Sequence, residues 1–96
     1  MSQTNYFTVI AYDIANDKRR RALVRVLESF GERAQESIFE AWLTECERKK
    51  METKAHNCID TSADRLAIYV LPKIDREAII NLGSGSITKD FTHLIL

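Results

Sequence analysis

Hydrophobic and polar positions along this chain switch repeatedly between strand-like and helix-like periods. Residues Tyr6–Tyr12 (YFTVIAY) are rich in β-branched and aromatic side chains and predict a strand. On it, Tyr6, Thr8, Ile10 and Tyr12 share one face, and Phe7, Val9, Ala11 and Asp13 share the other. Both faces are largely apolar. From about Lys18 to Phe30 the period becomes helical, with Ala22, Leu23, Val26, Leu27 and Phe30 forming one stripe. Asn16 or Asp17 supplies the N-cap, and Gly31 suits the left-handed position just past the helix end.

Arg33–Gln35 reads as a short strand leading through a tight turn or bulge into a longer one, Ser37–Leu43. Thr44 caps a second helix of roughly Glu45–Asn57. Its apolar stripe is thin (Met51, Ala55 and Cys58, with Leu43 before it), which places it on the surface with one edge docked. Asp64–Leu71 predicts a further strand ended by Pro72, Ile74–Leu82 a short helix or strand, Gly83–Ser86 a flexible turn and Phe91–Leu96 a last strand.

The order β-α-β-β-α-β is that of a ferredoxin-like α+β fold, an antiparallel sheet with both helices on one side, here with an extra C-terminal strand. Residues 1–82 would form this domain, and 83–96 a loop and strand that stay in their own sheet or cross to a partner. Helices on one side leave the second apolar face of Tyr6–Tyr12 and Leu66–Leu71 uncovered. A patch of that kind is unusual on a small monomer. Pairing two sheets face to face in a homodimer covers it.

Composition narrows the class. Ninety-six residues with 45% hydrophobic and 29% charged side chains make one ordinary folded domain. The longest uncharged stretch, Met1–Tyr12, is interrupted by Ser, Gln, Thr and Asn, so no run approaches the roughly 20 apolar residues of a membrane span. No signal peptide is visible and the reading is cytoplasmic. In a reducing compartment Cys46 and Cys58 stay free thiols, and with His56 they fit no common zinc spacing.

Charge changes the picture more. Fourteen basic and fourteen acidic residues cancel, yet Lys18, Arg19, Arg20, Arg21 and Arg25 face only Asp17 between Ile14 and Leu27. A basic run at a helix N-terminus opposes the helix dipole, so helix stability does not account for it. Phosphate binding would account for it; the alternative is a plain solvated helix face. Arg33, on the next element, joins this patch or pairs with Glu32 or Glu36. Asp13, closing the first strand, either caps the following turn or helix or ligates a metal. One carboxylate is a poor site. Two Asp13 side chains across a dimer axis would suit magnesium, which accepts few protein carboxylates alongside waters and phosphate oxygens. His56 reads as solvated, His93 as structural, and Trp42 as a sheet residue; no catalytic triad, phosphate loop or H-E-x-x-H motif is present.

These residues also carry a resemblance. Tyr12-Asp13-Ile14, the segment Asn16-Asp17-Lys18-Arg19-Arg20-Arg21, Leu23 and Gly31 follow in order at matching spacing, and Gln35-x-Ser37-Ile38-Phe39-Glu40 follows after a segment one residue shorter than the pattern. Together they make the chain resemble the small CRISPR-associated adaptation proteins, the Cas-two family, over nearly its whole length. The resemblance implies a ferredoxin-like homodimer and a metal-dependent endonuclease acting on RNA or double-stranded DNA, with Asp13 as magnesium ligand. Arg20, Arg33, Ser37 and Phe39 match positions that support that site. It further implies assembly with the family's CRISPR integrase during spacer acquisition, where the dimer can serve as a non-catalytic scaffold holding duplex DNA. Toxin-like ribonucleases of similar fold are a third expectation.

Overall fold

The computed structural model describes residues 4–71, 76–80 and 82. Strand β1 (Tyr6–Asp13) leads to helix α1 (Asp17–Glu28), then β2 (Glu32–Gln35), β3 (Ile38–Leu43), α2 (Glu45–His56) and β4 (Arg65–Leu71). Arg76–Ala78 forms a single 3₁₀ turn, within the segment whose sequence fits a short helix or strand. The Gly83–Ser86 turn, the Phe91–Leu96 strand, His93 and hence the proposed 83–96 unit lie outside the described residues.

The strands form one sheet in the order β2-β3-β1-β4, with β1 antiparallel to both β3 and β4. This is the ferredoxin-like arrangement, each helix crossing over one intervening strand. Ile10 pairs with Phe39 and Ile68, so residues of like parity build one face. Ile10, Tyr12, Phe39, Ala41 and Leu43 meet Leu23 and Leu27 of α1 and Met51 and Ala55 of α2 in a single core. As its thin stripe predicts, α2 buries only Met51 and Ala55.

The opposite face carries Phe7, Val9, Ala11 and Asp13 of β1 beside Trp42, Tyr69 and Leu71. Phe7 and Trp42 pack with ring centroids 5.1 Å apart, whereas Tyr69 is 55% exposed and Leu71 38%. The second apolar face read from the sequence is therefore a feature of the molecule.

Several boundaries differ from expectation for identifiable reasons. Asn16 is the N-cap of α1, its side chain accepting from the Arg19 amide at 2.9 Å. At α2, Thr44 and Glu47 form a capping box. Helix α1 stops at Glu28, where the Ser29 hydroxyl donates to the Val26 carbonyl at 2.6 Å, and Phe30 packs on the core from the following turn. Gly31 lies outside the left-handed region, contrary to its expected role. It is required for room: a Cβ there would stand 2.3 Å from the Glu40 carbonyl oxygen and 2.5 Å from the Ala41 Cβ. Glu36 and Ser37 form the turn between β2 and β3, with the register shift falling between Arg33 and Gln35. Asp64 precedes β4 instead of opening it, because its side chain is committed elsewhere.

Candidate functional site

Asp13 is the last residue of β1 and is exposed. Because Asn16 caps α1, Asp13 is free of that duty. Its cross-strand neighbour on β4 is Arg65. Both line a surface cleft of about 380 Å³, together with Ala11, Tyr12, Leu66 and Ala67. The sequence reading missed Arg65, since only the β1–β4 register brings a residue so distant in sequence beside Asp13.

The turn between β2 and β3 is pinned near this strand end. The Glu36 carbonyl accepts from the Tyr12 hydroxyl at 2.9 Å and from Arg33 Nη2 at 2.9 Å and Nε at 3.2 Å. Arg33 thus holds the backbone of Glu36, not its carboxylate. Ser37 is exposed in that turn, and its carbonyl accepts from the Tyr12 amide at 3.1 Å. Phe39 is fully buried, 6.2 Å from the Tyr12 ring between centroids, so its reach to the site runs through Tyr12.

The basic residues separate into groups. Arg20, Arg21 and Arg25 line a cleft of about 260 Å³ with Val24 and with Arg33 from β2. Arg20 also pairs with Asp17 and donates from Nη1 to the Ile14 carbonyl at 3.2 Å, which ties α1 to the residue after Asp13. Lys18 is exposed on the first turn. Arg19 points elsewhere: Nε lies 2.8 Å from Asp64 Oδ2 and Nη2 3.1 Å from Oδ1. Among the described residues, the arginine cleft and the Asp13 cleft share no lining residue.

Asp64 is the anchor of this end of the molecule. Besides Arg19, its carboxylate accepts from the amides of Ala15 at 2.9 Å and Asp60 at 2.8 Å, and its side chain has no exposed surface. The Arg19 guanidinium, followed by the Asp60 and Ala15 N–H groups, holds this carboxyl well below the usual carboxylate range. The same pairing raises the Arg19 pKa. Asp60 is lowered too, chiefly by hydrogen bonds from the Ser62 hydroxyl and amide. The loop from Asp13 to α1 is therefore clamped to the α2–β4 connection.

No group of three or more His, Cys, Asp or Glu side chains able to hold a metal occurs among the described residues. Cys46 is exposed in the first turn of α2 and Cys58 lies past its end. Asp13 alone offers one oxygen ligand group, which suits magnesium only as part of a shared set. No helix among the described residues is long and apolar enough to cross a membrane.

Sheet order and clefts define the class: a small ferredoxin-like α+β domain with an exposed strand-end carboxylate and an arginine cleft on its helical side. A family model described as CRISPR associated protein Cas2 matches residues 6–79, and the chain belongs to that family. The CRISPR-associated endoribonuclease Cas2 3 of Chloroflexus aurantiacus is 36% identical over 90 residues, covering 94% of this chain and 97% of that protein. The CRISPR-associated endonuclease Cas2 2 of Thermus thermophilus is 42% identical over 74 residues, or 77% and 80% of the two chains. Among solved structures, the hypothetical protein TT1823 of Thermus thermophilus superimposes with a TM-score of 0.71 at 31% identity, covering 85% of this chain and 98% of that one. A chain of a partial Cas6-RT-Cas1–Cas2 complex does so with a TM-score of 0.57 at 35% identity, covering 71% and 80%.

Proposed function

We propose that this protein is a cytoplasmic endonuclease of CRISPR adaptation, a homodimer that hydrolyses phosphodiesters of RNA or double-stranded DNA at a site shared by two Asp13 carboxylates. The observation that carries this reading is Asp13 itself: exposed at a strand end, released from capping, and opening onto a cleft beside an arginine. The names of its relatives, an endoribonuclease and an endonuclease, support the same chemistry.

Magnesium held by Asp13 of both subunits would supply charge stabilisation and a more acidic bound water. The protein's own groups do the rest. Arg20, Arg21, Arg25 and Arg33 hold backbone phosphates on the helical side of the sheet, with Lys18 adding charge. Ser37, Arg33 and Tyr12 fix the β2–β3 turn, and Phe39 fixes Tyr12 from beneath. Arg19 contributes by clamping the loop that follows Asp13.

A second reading rests on the separation of the two clefts and on the neighbour found in a Cas1–Cas2 assembly. In it the dimer is a scaffold that carries duplex DNA to the CRISPR integrase, and cleavage is dispensable. The Asp13→Ala variant separates the two. As a nuclease, it loses cleavage of a short RNA and of a DNA duplex; as a scaffold, it still assembles with integrase and duplex DNA. If Asp13→Ala cuts as fast as the unsubstituted chain, the Asp13 site is wrong. If duplex DNA and RNA both fail to bind at low salt, both readings fall.

A further inference from the structure

Cleavage of a phosphodiester anion builds charge on the non-bridging oxygens, and a guanidinium near the breaking bond can share that charge with a bound metal. The arginines that the sequence singled out do not line the Asp13 cleft. Arg19 is bound to the buried Asp64, and Arg20, Arg21, Arg25 and Arg33 line a different cleft. Arg65 does line it. It is the cross-strand partner of Asp13, on the same face of the sheet, and among the described residues these two are the charged ones lining the cleft.

Local packing makes room for a ligand between them. Ala11 and Ala67 are also cross-strand partners, one pair along the ladder on the same face. Two methyl groups side by side leave a depression where larger strand residues would fill the surface. Strand β4 follows β1 at the end of the sheet order β2-β3-β1-β4, so the depression opens toward a sheet edge. An acid and a guanidinium standing over an alanine floor fit a phosphodiester approached from that edge.

We propose that Arg65 is a catalytic residue, whose guanidinium holds the non-bridging oxygens of the phosphodiester being cut; this rests on the nuclease reading above. As water oxygen bonds to phosphorus, the P–O bond to one flanking nucleotide breaks. The leaving oxygen takes up a proton and the attacking water gives one to solvent. Arg65 changes neither charge nor bonding. It binds the dianionic transition state more tightly than the monoanionic substrate.

The test uses the full chain with Arg65→Gln, Arg65→Lys and Asp13→Asn on a short single-stranded RNA and a DNA duplex. Single-turnover cleavage by Arg65→Gln should fall by roughly 100-fold or more, the scale of losing one charge-stabilising donor, with Arg65→Lys recovering part of it. In calcium buffer, the slope of log affinity against log salt should drop by about 0.7–0.9, one phosphate contact. Calorimetric magnesium affinity should hold or rise, since a neighbouring cation has been removed. If Arg65→Gln cuts within about threefold of the unsubstituted rate and keeps its salt slope (roughly one phosphate contact unchanged), Arg65 is only a counter-ion to Asp13 and the proposal is overturned. Loss of cleavage in Asp13→Asn under that outcome leaves the nuclease reading standing. An unsubstituted protein that cuts neither substrate overturns both.

Discussion

Substituting Gly31 separates two physical accounts of one glycine. On sequence grounds it is a left-handed helix terminator; in the structure it is a close-approach residue against β3. An alanine Cβ would lie 2.3 Å from the Glu40 carbonyl oxygen, 2.5 Å from the Ala41 Cβ and 3.0 Å from its Cα. Those neighbours belong to a strand paired on both sides, to β2 and to β1, so neither can swing away as a flexible side chain would. Overpacking of this kind costs about 1–3 kcal/mol. The usual gain from Gly→Ala through the unfolded chain, about 0.4–1 kcal/mol, offsets only part of it. Gly31→Ala should therefore lower the urea midpoint without changing the slope. Its Tm should fall by about 4–8 °C for each kcal/mol in a domain this small, compared at fixed protein concentration. Asparagine gives the discriminating result. A left-handed position tolerates Asn better than Ala, whereas a crowded one tolerates it worse. A Gly31→Asn variant more stable than Gly31→Ala, or an alanine variant as stable as the parent, refutes the steric account.

The buried Asp64 clamp makes the fold acid-sensitive. Because the Asp64 carboxyl is depressed in the folded protein, its contribution to stability is present above the ordinary aspartate value of 3.8 and is lost as pH falls below it. Urea midpoints measured downward from pH 7 should decline most steeply below about pH 4, and Asp64→Asn should remove much of that acid dependence while lowering the midpoint at neutral pH. Arg21→Ala and Arg25→Ala should each reduce the salt slope of duplex binding by about 0.9 and leave the unfolding midpoint almost unchanged. Arg19→Ala should do the reverse, lowering the midpoint and sparing the slope, because its guanidinium is bound to Asp64.

Element order, sheet faces and caps were legible in the sequence because each rests on local pattern. Period-two alternation placed Ile10 and Tyr12 opposite Phe7 and Asp13, and Asn16 and Thr44 stand where short polar side chains stop helices. What was illegible depends on contacts across the fold. An acid at the edge of an apolar run reads as the first residue of a strand, and nothing local says that Asp64 turns inward to bind Arg19, Ala15 and Asp60. Once that is known, a cluster of adjacent arginines stops being one patch. Arg19 becomes structural, while Arg33 joins Arg20, Arg21 and Arg25 across the α1–β2 junction. Arg65 escaped notice for the same reason, since the register that sets it beside Asp13 exists only in the sheet.

That register also ties the uncovered face to the chemistry. Asp13, Arg65 and Tyr69 all stand on the side of the sheet away from the helices. A face-to-face dimer that covers Tyr69 and Leu71 would bring the two Asp13 residues onto one interface. Assembly and site completion then become a single event. Tyr69→Asp tests this, because Tyr69 is 55% exposed in the single chain and its replacement costs the fold little. In the dimer, the new carboxylate would be buried without a partner, at a penalty of about 3 kcal/mol or more. That corresponds to a dimer dissociation constant at least roughly 100-fold weaker. Sedimentation should show the variant dissociating at concentrations where the parent remains paired. Its cleavage should be lost there and return as protein concentration rises through the weakened constant. A variant that is monomeric yet cuts at the parental rate would mean that each Asp13 works without its mate. One that remains a dimer would place the interface elsewhere.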